Sequence, residues 1–151
     1  SQADATRMEF ASGVEHLDAA RKDGRTAPLD AVLLQVNRFV TPNFYVSAQA
    51  RSAFAGGAGA YSVGLVGLGT QWPVTHGVRV GAEALAGAAG GGEVDTGEGA
   101  VLQARAYVDV PLGEMLSLRV GGGRVKSLHG QLDSPVVDAA LVFRFGIDRR
   151  R

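Results

Sequence analysis

Apolar and polar residues alternate along most of this chain with period two, the signature of strands with one apolar and one polar face. The cleanest stretch runs from Gly99 to Leu112. There Leu102, Ala104, Ala106, Val108 and Val110 share one face, and Gln103, Arg105, Tyr107 and Asp109 share the other. The last segment repeats it, with Val137, Ala139, Leu141, Phe143, Phe145 and Ile147 against Asp138, Ala140, Val142 and Arg144. Phe44, Val46, Ala48 and Ala50 oppose Tyr45, Ser47, Gln49 and Arg51. Val78, Val80, Ala82, Ala84 and Ala86 oppose Arg79, Gly81, Glu83 and Leu85, while Leu116, Leu118 and Val120 oppose Ser117, Arg119 and Gly121. Near the start, Met8, Phe10 and Val14 oppose Arg7, Glu9, Ala11 and Glu15, although Val14 to Lys22 also fits a helical turn or two. In Ala31 to Val40, Leu34, Val36 and Val40 oppose Gln35 and Asn37, but Arg38 falls on the apolar face. It either snorkels at a membrane boundary or marks a bulge. Tyr61 to Trp72 is apolar on both faces, so its direction stays open.

Turn signals divide these segments. Thr41-Pro42-Asn43, Pro73 to Gly77 and Pro111 to Glu114 are short; Ala19 to Leu29, Ala55 to Ala60, Gly90 to Gly99 and Ser127 to Pro135 are longer and polar or glycine-rich. Long and short alternate, and seven connections imply eight elements of strand length.

Alternation alone does not say which face is inside, and a soluble sandwich or barrel would bury the apolar one. Three features favour the opposite. The polar face is rich in arginine matched by carboxylate: Arg7, Arg51, Arg79, Arg105, Arg119 and Arg144 against Glu9, Glu15, Glu83, Asp109 and Asp138. Arginine suits buried, multiply hydrogen-bonded ion pairs. Gly13, Gly81, Gly87, Gly121 and Gly123 on that face leave room for long side chains in a narrow lumen. The alternation of short and long connections matches outer-membrane barrels, with short periplasmic turns and longer extracellular loops. In lipid every backbone group must be paired, so strands span only as a closed barrel. With eight strands the interior is filled by side chains. The expected fold is an all-β, eight-stranded antiparallel up-and-down transmembrane barrel, apolar outside and salt-bridged inside, as a plug and not a conduit.

On that pattern the chain resembles the small eight-stranded outer-membrane barrels of the OmpA transmembrane domain and OmpX type, over roughly residues 6–147. Ala140-Leu141-Val142-Phe143-Arg144-Phe145 is similar to the alternating aromatic ending of that class, but Gly146 to Arg151 follow where a terminal aromatic is usual. The resemblance implies a bacterial outer-membrane location and interfacial aromatic girdles: Phe39, Phe44, Trp72 and Phe145 at the turn end, with Phe10, Phe54 and Tyr61 toward the loops.

Composition narrows the picture. A length of 151 residues fits one domain, and 22 glycines without a Gly-X-Y period exclude collagen. The absence of cysteine removes disulfides, thiol nucleophiles and cysteine-built metal sites. Fifteen basic and fifteen acidic residues give no net charge to drive nucleic-acid binding. Ser1-Gln2-Ala3-Asp4 shows no signal-peptide pattern, and seven glycines and Pro73 in the uncharged run Ser52 to Val78 argue against a spanning helix.

Little in the chain points to chemistry. Ser127 and His129 project to one face, with Asp133 and Asp18 near, and His16 meets that rim if the first and last strands close. Some small outer-membrane barrels are lipid A deacylases with such residues, but their His-x-Ser order is absent; loop residues in water explain the same facts. Glu93 to Glu98 is an acidic loop tip without calcium-loop spacing, and Gly64 to Gly69 lacks the phosphate-cradling order. Intramembrane charges often mark an ion path, but paired charges filling a narrow barrel account for this set. Finally, Ala48, Ala50, Ala82, Ala84, Ala86 and Ala88 make part of the expected outer wall small, which permits close contact with a partner protein or second copy. The expectation is a non-enzymatic outer-membrane barrel in a Gram-negative envelope, surrounded by lipid, with no metal, cofactor or nucleic acid. The rivals are a lipid A hydrolase and a soluble barrel holding a small apolar ligand.

Overall fold

The computed structural model describes residues 5–20, 26–55, 62–90, 99–128 and 133–148. They form eight strands: β1 (Ala5–Ala20), β2 (Thr26–Phe39), β3 (Phe44–Ala55), β4 (Ser62–Thr75), β5 (Val78–Gly90), β6 (Ala100–Pro111), β7 (Leu116–Ser127) and β8 (Asp133–Asp148). Each pairs antiparallel with its sequence neighbours, and β1 pairs with β8 to close the barrel.

The stagger follows from the register. From Glu9 the row of facing residues runs Asn37, Ser47, Gly67, Leu85, Gln103, Val125 and Ser134, whereas Glu9 directly faces Arg144 on β8. One circuit therefore returns ten residues away from its start. Such a stagger goes with strands tilted about 40° from the axis.

The short turns lie at one end. His76 and Gly77 both have positive φ, 52° and 80°, the primed two-residue turn that matches strand twist. Thr41 Oγ1 accepts from the Asn43 and Phe44 amides at 3.2 and 3.0 Å, and Asn43 Nδ2 donates to the Gln71 carbonyl at 2.9 Å. The turn end is thus tied across to β4.

Several boundaries differ from those expected. Pairing continues through Leu17↔Leu29 to Ala20↔Thr26, so most of the first long segment is ladder, and Val14 to Ala20 is strand and not helix. Extending the hairpin pairs backbone groups that a loop would leave to water. Pro73 lies inside β4, where a register shift between Pro73 and Thr75 accommodates its missing amide hydrogen. Arg38 pairs regularly between Met8 and Val46; the irregularity in β2 falls at Asp30/Ala31, so Arg38 marks no bulge. The register also settles β4: Val63, Leu65 and Gln71 are buried, while Val66, Leu68 and Trp72 face out.

Candidate functional site

The inward positions carry the charge. Glu9, Glu15, Glu83, Asp109 and Asp138 are all buried, as are Arg51, Arg105 and Arg119. Around Glu9 on β1, six donors converge on one carboxylate: Arg119 Nη1 and Nη2 at 3.1 Å each, Arg144 Nε and Nη2 at 3.1 and 3.0 Å, Asn37 Nδ2 at 3.1 Å and Gln71 Nε2 at 3.3 Å. Asp109 takes Arg119 Nε at 2.9 Å, Arg144 Nη2 at 3.3 Å and the Ser117 hydroxyl at 2.9 Å. Two arginines thus bridge two carboxylates in a closed group at the turn end.

A second group lies further in. Arg105 donates to Glu83 at 2.8 Å and, through Nη2 and Nε, to Asp138 at 2.5 and 3.0 Å. Gln35 Nε2 and the Tyr45 hydroxyl also donate to Glu83, at 2.6 and 2.7 Å. The groups are joined: the Tyr45 and Tyr107 hydroxyls lie 2.9 Å apart, and Gln71 Nε2 donates to Tyr107 at 2.9 Å. Cations cover the ring as well, with Arg119 at 4.3 Å and Arg105 at 5.1 Å from the Tyr107 centroid. Glycine makes the space. A Cβ at Gly81 would strike the Tyr107 ring, and one at Gly121 would meet Arg105 Nη2 at 2.5 Å. Gly13, Gly87 and Gly123 instead face the backbone of a neighbouring strand, so their smallness serves close strand approach and not side-chain room.

The loop end of the lumen is built differently. Leu33, Val63, Leu65, Leu85, Val101, Val125 and Val136 are all buried there. Among the described residues its ion pair is Arg51 Nε to Glu15 at 3.1 Å, with Gln103 donating to the same oxygen at 2.9 Å. Both Nη atoms of Arg51 are buried without a partner. The interior is therefore charged over its turn-end and central parts and largely apolar beneath the loops.

Two expected members of the network stand apart. Arg7 lies 3.8 Å over the Phe39 ring and donates to the Pro42 carbonyl at 3.1 Å. Arg79 is half-buried, with no carboxylate within 4.0 Å among the described residues. The neutral partners Asn37, Gln35, Gln71, Tyr45 and Ser117 complete the network that the charged residues alone do not show. The alternation of their own strands places Gln35, Asn37, Tyr45 and Ser117 on this face, whereas Gln71 lies in the segment whose direction the pattern leaves open.

The outer wall reverses the chemistry. Val, Leu and Phe side chains face outward along every strand, for example Phe10, Leu34, Val66, Leu68, Leu102, Leu118 and Leu141. Near the turns Phe44 and Trp72 are exposed; near the loops lie the pairs His16–Asp30 and Arg124–Asp133, each at 2.6 Å.

No protein-family model matches the chain, and no curated protein matches it significantly. Among solved structures, Neisserial surface protein A (NspA) aligns with a TM-score of 0.65 at 11% identity, covering 91% of this chain and 97% of that one. A de novo designed transmembrane β-barrel aligns with a TM-score of 0.62 at 12% identity, covering 94% and 96%. The fold is that of the small eight-stranded outer-membrane barrels.

In this barrel Phe39 is not a girdle residue. It is buried, its ring 5.0 Å from Tyr45 and beneath Arg7, because position 39 shares the inward parity of Asn37 and Gln35. Phe10 sits between Val36 and Phe143, toward the turn end and not the loops. Ser127 points into the lumen, and Asp133 pairs with Arg124 on the outside, so these two do not face each other. His129, Tyr61, the tip from Glu93 to Glu98, and the side chains of Asp18 and Phe54 lie outside the described residues. The alanines do not form one flat patch. Ala48 and Ala50 lie on one side of β4 and Ala84 and Ala86 on the other, with Val66 and Leu68 as a ridge between. Among the described residues, no group of three or more His, Asp or Glu could hold a metal.

Proposed function

We propose that this chain is a non-enzymatic outer-membrane protein: a lipid-embedded anchor with a plugged interior that presents four loops at the cell surface. The inversion of burial carries this reading. Five carboxylates are buried inside while valine, leucine and phenylalanine cover the outside. Water as the outer solvent would favour the reverse. The soluble, ligand-holding alternative requires the apolar face to point inward, and it points outward. The outward apolar run on β6, Ala100 to Val110, measures about 34 Å along the strand and about 25 Å along the axis at that tilt. That is the height of an outer-membrane apolar band. The Glu9–Asp109 and Glu83–Asp138 groups fill the bore, which supports a barrel that does not conduct.

Circular dichroism of the purified chain in buffer and in micelles tests the membrane reading. Strand structure stable only in micelles is expected; a folded monomer in plain buffer would overturn it. For the rival activity, incubation with lipid A is expected to yield no deacylated product. A product that disappears in Ser127→Ala would establish the hydrolase.

One observation favours a second, compatible role. On the outer wall Ala82 faces Ala106 and Ala84 faces Ala104, a continuous small patch across β5 and β6. Small residues admit close approach between membrane segments. This is where a partner or second copy would sit, and Ala82→Leu with Ala84→Phe is expected to abolish crosslinked species formed in lipid.

A further inference from the structure

The outer face of β2, β3 and β4 carries a trough with a cation at one end. Its volume is about 530 Å³, and it is lined by Val36, Arg38, Val46, Ala48, Val66 and Leu68. The shape follows from side-chain size: Ala48 stands directly between Val36 on β2 and Val66 on β4, so β3 is low where its neighbours are high. Arg38 faces Val46 at the turn-end side of that depression.

Arg38 is the unusual member. Among the described residues, the other charged side chains on the outer wall belong to the loop end: His16 with Asp30, Arg124 with Asp133, and Lys126. Arg38 alone is charged on the turn-end half of that wall, exposed, with no described carboxylate within 4.0 Å. It lies one outward position from Val40, whose amide bonds the Phe44 carbonyl, and so close to the level of the exposed Phe44 ring. Aromatic side chains of this kind mark headgroup depth. A guanidinium there, opening onto an apolar trough, presents a charged donor fork to a headgroup and a greasy channel to a tail.

We propose that this trough is a binding site for one anionic glycerophospholipid, its phosphate on Arg38 and an acyl chain along Ala48 between the Val36 and Val66 walls. The occupant is chosen by charge complementarity: an amphiphile with an anionic head matches both ends at once. The turn end places the site on the periplasmic leaflet. The inference rests on the membrane reading above and adds a lipid class and a position to it.

The test is native mass spectrometry of the full chain folded in micelles, titrated with phosphatidylglycerol and, separately, phosphatidylcholine. Circular dichroism on the same samples reports folding. One phosphatidylglycerol is expected to be retained about fivefold better than phosphatidylcholine, the effect of one basic residue near a headgroup. Arg38→Gln should erase the preference. Ala48→Phe, which fills the trough from outside the barrel, should remove the retained lipid, and Ala48→Leu serves if the larger ring prevents folding. Lys126→Gln, at the other end of the wall, should change nothing. Equal retention of the two lipids by folded wild type, or a preference surviving Arg38→Gln, would overturn the lipid site while leaving the membrane barrel intact. Failure to hold strand structure in micelles at all would overturn the membrane reading instead.

Discussion

The two ends of the lumen are built from the same strands by the same alternation, yet they are filled by different chemistry. At the turn end, Glu9 on β1 gathers donors from β2, β4, β7 and β8, and Asp109 on β6 shares two of those arginines. At the loop end Glu15 has two donors, Arg51 and Gln103, in surroundings of valine and leucine. The difference is one of tolerance. An apolar layer accepts small displacements with modest loss, whereas a charged group with directional partners leaves an uncompensated buried charge when one strand slips. The turn end therefore specifies which residues of six strands must meet, and the loop end supplies burial with few directional demands.

That contrast can be broken most severely at Arg119. Arg119→Ala removes donors from both Glu9 and Asp109 and is expected to destabilise the barrel by about 3–5 kcal/mol. Urea titration of tryptophan fluorescence in vesicles reads the shift, since Trp72 is the only tryptophan. An effect under about 1 kcal/mol would mean the turn-end network does not specify the fold. At the loop end Leu65→Ala, which opens a cavity among apolar neighbours, is expected to cost about 3 kcal/mol in the same titration. Its denaturation should stay a single transition. Smaller still is the loop-end ion pair. Because both Arg51 Nη atoms lack partners, Arg51→Met combined with Glu15→Gln should change stability by less than about 1 kcal/mol, or raise it. A loss as large as that of Arg119→Ala would erase the distinction between the two ends. A comparably small effect is expected at the rim, where Arg7→Gln removes a cation stacked on Phe39 and should cost about 0.5–1 kcal/mol.

Most of the barrel was legible in the sequence because period two is a local property. Leu102 to Val110 and Phe44 to Ala50 show their faces without reference to any other strand. All five inward acids could be named in the same way. Three things were not local. Tyr61 to Trp72 carries apolar residues on both faces, and only its register against β3 and β5 decides that Leu65 is inside and Leu68 outside. Phe39 is aromatic like the girdle residues, yet its parity with Asn37 places it inside. Whether a given arginine meets a given acid depends on stagger around the ring, so Arg119 with Glu9 and Arg7 with Phe39 could not be told apart from the pattern alone.

The ten-residue offset at the β1–β8 seam makes the sheet a screw thread and not a stack of rings. An error of two residues at any one hairpin keeps every side chain on its proper face, so the alternation does not record the mistake. It appears at the closing seam, as a thread of different pitch and therefore a bore of different width. In such a bore the Tyr45 and Tyr107 hydroxyls, from β3 and β6, would no longer meet, nor would Gln71 of β4 reach Glu9 of β1. These side chains act as a feeler gauge: they fit one circumference, and so they report across the whole barrel whether all eight strands have been threaded correctly.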